Sequence, residues 1–241
     1  EGVNYGILKT VKDGVISAVG IMPNMPEAKN GYELLKDYSV CLGQHTNICI
    51  GKPLSDPSLI PTLVQKNGEF YSSYEIRQRK EDTIIVEEAE KEIQAQLDRF
   101  REITGKSPDY FEGHAIFSKN FFTALQNVAV RNQLFYCDPM DEEWVLKYGI
   151  ECAEFYHLDQ QSLYDIEDYI FNDKAKLKEK KCAVVVFHPG FIDQYLLDNS
   201  TYTLIRPMET EFLCSHKLKK YLKNNHIQVV DFKNYRGGVK K

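Results

Sequence analysis

Apolar residues recur along the chain in two alternating patterns, one with helical spacing and one of unbroken runs. Helical spacing predicts helices over 3–11, 26–37, 74–104, 121–132, 162–180 and 207–224. Apolar runs predict strands over 15–22, 40–45, 109–114, 134–137, 150–158, 182–188 and 228–232. Strands that alternate with helices are typical of a parallel sheet, open or closed into a barrel. We therefore predict an α/β fold, an irregular (β/α) barrel with parallel strands, as a single domain over 1–241.

Three of the predicted strands end in the same way, with a histidine that has a glycine beside it. These histidines are His45, His114 and His188. The carboxyl ends of parallel strands lie on one face of a sheet or barrel, so we expect the three side chains to converge. Two imidazoles and a carboxylate can hold a divalent ion, and a third imidazole nearby could protonate a leaving group. The alternative is that each is a core or rim histidine satisfied by hydrogen bonds.

The segment 51–71 follows directly after the His45 strand and contains three prolines. The prolines argue against a long helix or a central strand, so we expect a loop of about 20 residues. Loops of this length are often lids or binding loops, and this one could cover whatever His45 binds. A surface excursion without a function is the alternative.

Composition and charge narrow the possible functions. A chain of 241 residues with 43% hydrophobic content can bury a large core. The net charge of -5 argues against a nucleic-acid partner, which would need a concentrated basic surface, and a neutral polar substrate fits better. We see neither a membrane-spanning run nor an export signal and predict a cytoplasmic protein. The six cysteines are scattered through apolar runs, which predicts reduced thiols.

A set of short motifs covers nearly the whole chain. The motifs lie at 1–7, 22–26, 43–47, 54–55, 60–61, 63–64, 68–70, 96–100, 104–108, 113–114 and 188–193, together with Arg206, Glu209 and Glu211. Taken together they resemble the YdjC-like carbohydrate deacetylases, an irregular (β/α) barrel branch of the polysaccharide deacetylase group. The resemblance implies metal-dependent removal of an acetyl group from an N-acetylated sugar, with chito-oligosaccharides as the substrate class.

The resemblance also implies roles for single residues. His45 and His114 are expected to be the histidine ligands of a divalent metal, Mg or Zn. His188 is expected to be the acid that protonates the departing amine, since an amine must gain a proton to leave.

Three further residues of the motifs are expected to bind the substrate, namely Asn24, Asn47 and Arg206. Arg206 could instead anchor a loop or form a plain surface salt bridge with Glu209. A homodimer is the expected assembly.

The chain departs from the family pattern in two places. The family carries an Asn-Ala-Asp-Asp-Phe-Gly-type segment, the source of the carboxylate ligand and the general base, just before the Glu-Gly-Val-Asn motif with which this chain starts. We expect that strand to lie upstream of residue 1; a variant with a crippled site is the alternative. At 112–116 many relatives have an aspartate and further histidines where this chain has Glu-Gly-His-Ala-Ile. Two other functions remain open: a metal-free sugar isomerase or lyase, and a sugar-binding or regulatory protein without catalysis.

Overall fold

The structure is a computed structural model that describes residues 1–159 and 163–235. It is a mixed α/β structure that divides into two compact units. The first unit contains Glu1–Ala18, Leu34–Val40 and the described residues from Asp138 onward, and the second contains Val19–Glu33 and Cys41–Cys137. Each unit has a hydrophobic core of its own.

The second unit is built on a three-stranded sheet with the order β1-β2-β3. Its strands are β1 (Ala18–Ile21), β2 (Cys41–Thr46) and β3 (Tyr110–Gly113). β2 and β3 are parallel, and their register places His45 opposite Glu112. At the predicted strand 134–137, Tyr136 forms a single parallel bridge to Phe111.

The sequence of the second unit also forms helices, and the longest of them has the apolar stripe that the sequence predicts. The helices are α2 (Ala28–Leu35, which crosses the boundary between the units in sequence), α3 (Ser73–Arg77), α4 (Val86–Thr104) and α5 (Lys119–Arg131). On α4, four fully buried side chains are spaced three or four residues apart: Ala89, Ile93, Leu97 and Phe100. α4 ends at Gly105, whose φ of +71° is a left-handed conformation that favours glycine.

The predicted helix 74–104 is wrong over 78–85, which separates α3 from α4. Asp82 accepts a hydrogen bond from the N–H of Ile84 and two more from Ser118 and Asn120 at the start of α5. These bonds favour a turn over a helix at this point, because a short acidic side chain competes with helical hydrogen bonding.

The proline-rich segment 51–71 belongs to the hydrophobic core of the second unit. It contributes Ile60, Leu63, Val64 and Phe70, all buried, and contains one turn of 3₁₀-helix at Pro57–Leu59. Removing these side chains from water stabilises the segment against the helices beneath it. The segment is therefore a packed part of the fold and not a surface excursion.

The first unit is mainly helical. Its elements are α1 (Gly2–Asp13), α6 (Glu142–Tyr148), β4 (Glu151–Cys152), α7 (Ile166–Phe171), a 3₁₀ turn (Leu177–Glu179), β5 (Ala183–Val184), α8 (Gln194–Asn199), α9 (Ile205–Cys214) and α10 (His216–Asn224). β4 and β5 pair in parallel through two residues each, so the strands predicted over 150–158 and 182–188 are much shorter than expected.

Other differences from the sequence predictions follow from helix caps. Ser215 divides the predicted helix 207–224 into α9 and α10, because its Oγ accepts a hydrogen bond from Leu218 at the start of α10. Asp141 and Asp193 cap α6 and α8, two short helices that apolar spacing did not predict.

Two more predicted elements are wrong. The helix predicted over 162–180 is observed as α7 and one 3₁₀ turn, and its first position, 162, lies outside the described residues. The strand predicted over 228–232 is not a strand in the described structure.

The described strands form two small sheets, one of three strands and one of two, and the closure of a barrel stays a prediction. All six cysteines are free thiols, as predicted. Among the described helices, none combines the length and the apolar character needed to cross a membrane.

Candidate functional site

The ends of β2 and β3 bring His45 and His114 into direct contact. His45 Nε2 lies 2.9 Å from His114 Nδ1, and the ring planes meet at 73° with centroids 4.8 Å apart. The contact arises because β2 and β3 are parallel neighbours, so that their carboxyl ends emerge together. The expected convergence is therefore observed for this pair.

Glu112 holds the other ring nitrogen of His45. Its Oε1 lies 3.1 Å from His45 Nδ1. A histidine that donates Nδ1–H to a carboxylate keeps the lone pair of Nε2 for another partner, here on the side of His114. Gly20 of β1 leaves the space for this arrangement, since a Cβ there would lie 2.8 Å from the Cβ of His45.

The two facing nitrogens have the separation of two ligands of one ion. Nitrogen ligands at about 2.1 Å from a metal lie roughly 3 Å apart at a right angle and about 3.4 Å apart at the tetrahedral angle. The separation of 2.9 Å between His45 Nε2 and His114 Nδ1 fits the first of these geometries. Within 1–159 and 163–235, no group of three or more His, Cys, Asp and Glu side chains could hold a metal. The described residues thus fit two ligand positions.

Asn24 and Asn47 hold the turn that follows β2. Asn47 Oδ1 accepts hydrogen bonds from the N–H groups of Cys49 and Ile50, and its Nδ2 donates to Asn24 Oδ1 and to the Ile50 carbonyl. Asn24 Nδ2 donates to the carbonyls of Ile50 and Lys52. These bonds use the two donors and two acceptor positions of the Asn47 amide. Substrate contact by these two residues stays a prediction.

A buried polar stripe on α4 fixes the same loop. Gln96 pairs with the backbone of Asn47, accepting from its N–H at 3.0 Å and donating to its carbonyl at 2.6 Å. One turn earlier, Glu92 accepts the N–H groups of Leu54 and Ser55. The chain that leaves the His45 strand is therefore held by α4, a role that the sequence analysis did not assign to either residue.

His188 belongs to the first unit and lies in the irregular segment after β5. Its backbone N–H donates to the carboxylate of Glu209, and its carbonyl accepts from Arg206 Nη1 at 3.3 Å. Its imidazole makes an edge contact with the ring of Tyr202, with centroids 5.1 Å apart. The convergence of His188 with His45 and His114 stays a prediction.

Arg206 has the contacts of a loop anchor. Besides the bond to His188, its Nε donates to the carbonyl of Tyr202 at 2.8 Å. Burial lowers the pKa of this guanidinium, and the nearby carboxylate of Glu209 partly offsets that effect. Binding of the substrate by Arg206 stays a prediction.

Glu209 is completely enclosed by the protein, with no accessible surface. It accepts a hydrogen bond from the hydroxyl of Tyr164 at 2.8 Å in addition to the bond from His188. Burial raises the pKa of Glu209 to about 7, although the His188 N–H, the Tyr164 hydroxyl and the Arg206 charge lower it. The motif at 206–211 contains Glu209, but nothing in its local sequence indicates this burial.

Two imidazoles that meet at the ends of parallel strands are able to serve as ligands of one divalent metal ion. The chain belongs to the YdjC-like protein family, whose family model matches residues 1–224. A Listeria innocua protein named carbohydrate deacetylase 2 is 27% identical over 237 residues, which are 96% of this chain and 92% of that protein. A Geobacillus stearothermophilus carbohydrate deacetylase is 27% identical over 241 residues, which are 98% of this chain and 93% of that protein.

A solved structure has the same fold. The crystal structure of a proposed cellobiose-phosphate cleavage protein from Enterococcus faecalis V583 superimposes with a TM-score of 0.79. The two chains are 22% identical, and the match covers 96% of this chain and 92% of the other. Identity this low establishes the shared fold alone.

Proposed function

We propose that the protein is a metal-dependent deacetylase of N-acetylated sugars, with chito-oligosaccharides as its substrate class. The reaction is hydrolysis of the amide bond between the acetyl group and the sugar nitrogen, which yields acetate and a free amine. The observation that carries the proposal is the pair formed by His45 Nε2 and His114 Nδ1 at the ends of two parallel strands. Membership of the YdjC-like family and relatives named carbohydrate deacetylases support it.

His45 and His114 would hold a divalent cation through the nitrogens that face each other. Such an ion, when bound, polarises a carbonyl oxygen and lowers the pKa of a water molecule. Imidazole ligands suit zinc, whereas added oxygen ligands would favour magnesium. Glu112 supports the site by holding the Nδ1–H of His45, which orients the ring and keeps Nε2 available.

His188 would donate the proton that the departing amine needs. Imidazole is suited to this step because its ordinary pKa lies close to neutrality. Its Nδ1 is buried, so Nε2 is the atom from which a proton would pass to the sugar nitrogen. The backbone bonds to Glu209 and Arg206 hold the residue in place.

We extend the proposal to the finer features of fold and assembly. The two small sheets would be parts of one irregular (β/α) barrel, for which the parallel pairings of β2 with β3 and of β4 with β5 are suitable. The protein would act as a homodimer, which sedimentation velocity distinguishes from a monomer. The single domain and the cytoplasmic location stay predictions.

The test is release of acetate from N,N'-diacetylchitobiose by the metal-loaded protein. We expect a chelator to abolish the release and His45→Ala to lower it by roughly 100-fold or more, because one of the two imidazoles is lost. His216→Ala is the matched control, since His216 is exposed on α10. Failure of the folded, full-length, metal-loaded protein to release any acetate would contradict the proposal.

A sugar-binding protein without catalysis is the second candidate. It is favoured by the finding that the described residues place His45 beside His114 but form no group of three or more His, Cys, Asp and Glu side chains that could hold a metal. Calorimetry that detects tight binding of chito-oligosaccharides together with no release of acetate would favour this candidate. Conversion of a sugar without release of acetate, by protein that retains no metal after purification, would instead favour an isomerase or lyase of the same fold.

A further inference from the structure

We propose that Glu209 is a positioning residue for His188. Its carboxylate, with Arg206 and Thr210, fixes the backbone of the segment that carries the His188 imidazole. The catalytic consequence rests on the proposed function. The structural part does not, because it concerns contacts within the first unit only.

Three side chains of α9 bind the backbone of one short segment. Glu209 and Thr210 follow Arg206 by three and four residues, so both share a face of the helix with Arg206. Glu209 accepts the N–H of His188, and Arg206 donates to the carbonyl of the same residue. Thr210 Oγ1 accepts the N–H of Gly190 at 2.9 Å. The peptide groups on both sides of the imidazole are thus held by the same helix.

A second set of contacts connects Glu209 to the imidazole itself. The hydroxyl of Tyr164 donates to Glu209, and the Tyr164 ring stacks on Tyr156 with centroids 3.8 Å apart. The hydroxyl of Tyr156 lies 3.2 Å from that of Tyr202, whose ring contacts the imidazole of His188. These contacts connect the backbone of His188, through Glu209 and the three tyrosines, to the imidazole ring of the same His188.

The segment needs this support because it has little of its own. Residues 185–193 are neither helix nor strand, and Pro189 has no N–H to donate. An irregular segment with few backbone hydrogen bonds opens easily, and such opening would leave the imidazole without a fixed position. Side-chain bonds from one face of α9 replace the missing secondary structure.

The charge of Glu209 changes near neutral pH, which gives the arrangement a measurable signature. Burial raises the pKa of Glu209 to about 7, while His188 N–H, Tyr164, and Arg206 oppose the rise. Among the described residues, the other ionisable groups that face this cluster are Tyr156, Tyr169 and Tyr202. A carboxylate accepts a stronger hydrogen bond than a protonated acid does, so the His188 amide should report the titration.

The first experiment measures amide hydrogen exchange by NMR. In the wild-type protein we expect the His188 amide to exchange roughly 100-fold more slowly than in an unstructured peptide, although it lies outside any helix or strand. Its chemical shift should titrate with a midpoint near 7, the pKa of Glu209. Exchange of the wild-type amide at the unstructured rate would overturn the proposal without the use of any variant.

Variants separate positioning from general stability. Glu209→Leu should reduce the protection of the His188 amide against exchange by about tenfold or more. It should also shift the NMR signals of the His188 imidazole. Glu209→Gln keeps a carbonyl acceptor, so the protection should remain while the part of the titration that comes from Glu209 disappears. Glu211→Leu is the matched control, because Glu211 is an exposed carboxylate on the same helix.

The second experiment measures deacetylation by the same variants. We expect Glu209→Leu to lower kcat with little change in KM, and Glu209→Gln to restore most of it. A normal kcat in a Glu209→Leu variant whose His188 amide has lost protection would overturn the catalytic part. Lack of activity in the wild type would contradict the proposed function alone, because the amide measurements still decide the structural part.

Discussion

At the scale of single residues, burial of ionisable groups accounts for the main electrostatic features of the first unit. Glu209 is enclosed among Tyr164, Arg206 and the His188 peptide, and desolvation raises its pKa from 4.5 to about 7. Burial also raises the pKa of Tyr164 well above its ordinary value. In the second unit the corresponding feature is geometric, since Glu112 orients His45 through one hydrogen bond.

The raised pKa makes the stability contribution of Glu209 depend on pH. Between about pH 4.5 and 7 the folded protein keeps a proton that the unfolded chain has lost. The contribution is therefore fully present below pH 4.5 and is lost as pH rises through 7. We expect the free energy of unfolding of wild type, relative to Glu209→Gln, to fall by on the order of 3 kcal/mol across this range.

Urea unfolding at pH 4.5 and pH 8 measures this difference. Taking the difference between the two proteins cancels the contributions of all other titrating groups. Glu211→Gln serves as the control and should differ from wild type by the same small amount at both pH values, because its carboxylate is exposed. If the free energies of unfolding of wild type and Glu209→Gln differ by the same amount at both pH values, that result would contradict the raised pKa of Glu209.

At the scale of elements, α4 connects the core to the candidate metal site. One face of α4 packs the apolar residues Ile93, Leu97 and Phe100. Its buried polar residues Glu92 and Gln96 bind the backbone of the loop that follows β2. The helix thus supports the end of the His45 strand as well as the proline-rich segment.

Gln96→Leu should destabilise the protein by about 2 to 6 kcal/mol. The substitution leaves the N–H and the carbonyl of Asn47 buried without their partner, and each such group costs about 1–3 kcal/mol. Chemical denaturation measures the loss. Gln126→Leu is the matched control, since Gln126 is exposed on α5 and should tolerate the change. Equal stability of the two variants would indicate that the pairing of Gln96 with Asn47 contributes little.

At the scale of the whole molecule, the chain contains two units with separate hydrophobic cores. His45, Glu112 and His114 all belong to the second unit, whereas His188, Arg206 and Glu209 belong to the first. A ligand that bridges His45 and His114 therefore stabilises the second unit directly, and this effect can be measured without any substrate.

We expect zinc to raise the melting temperature of the wild-type protein by on the order of 5 °C when free zinc is at about a hundredfold excess over the Kd for zinc. Binding to the folded state alone contributes about 2.7 kcal/mol under these conditions. Calorimetric melting with and without chelator measures the shift. Glu112→Leu should reduce the shift because the carboxylate no longer orients His45, whereas Glu102→Leu, at an exposed position, should not. No shift in the wild type would argue against a cation at this pair.

The sequence by itself determined the features that depend on local order along the chain. Apolar spacing predicted α4 and α5, and the position of each histidine after an apolar run predicted the meeting of His45 and His114. The same reasoning overestimated the strands at 150–158 and 182–188, because apolar composition does not set how many residues pair with a neighbouring strand.

Only the tertiary structure decided which distant residues support these side chains. Glu112 meets His45 across 67 residues because of the register between β2 and β3. Glu209 is buried against His188 because α9 packs its polar face on an irregular segment. Register and packing depend on contacts between remote segments, and a pattern with a period of two or 3.6 residues carries no information about them.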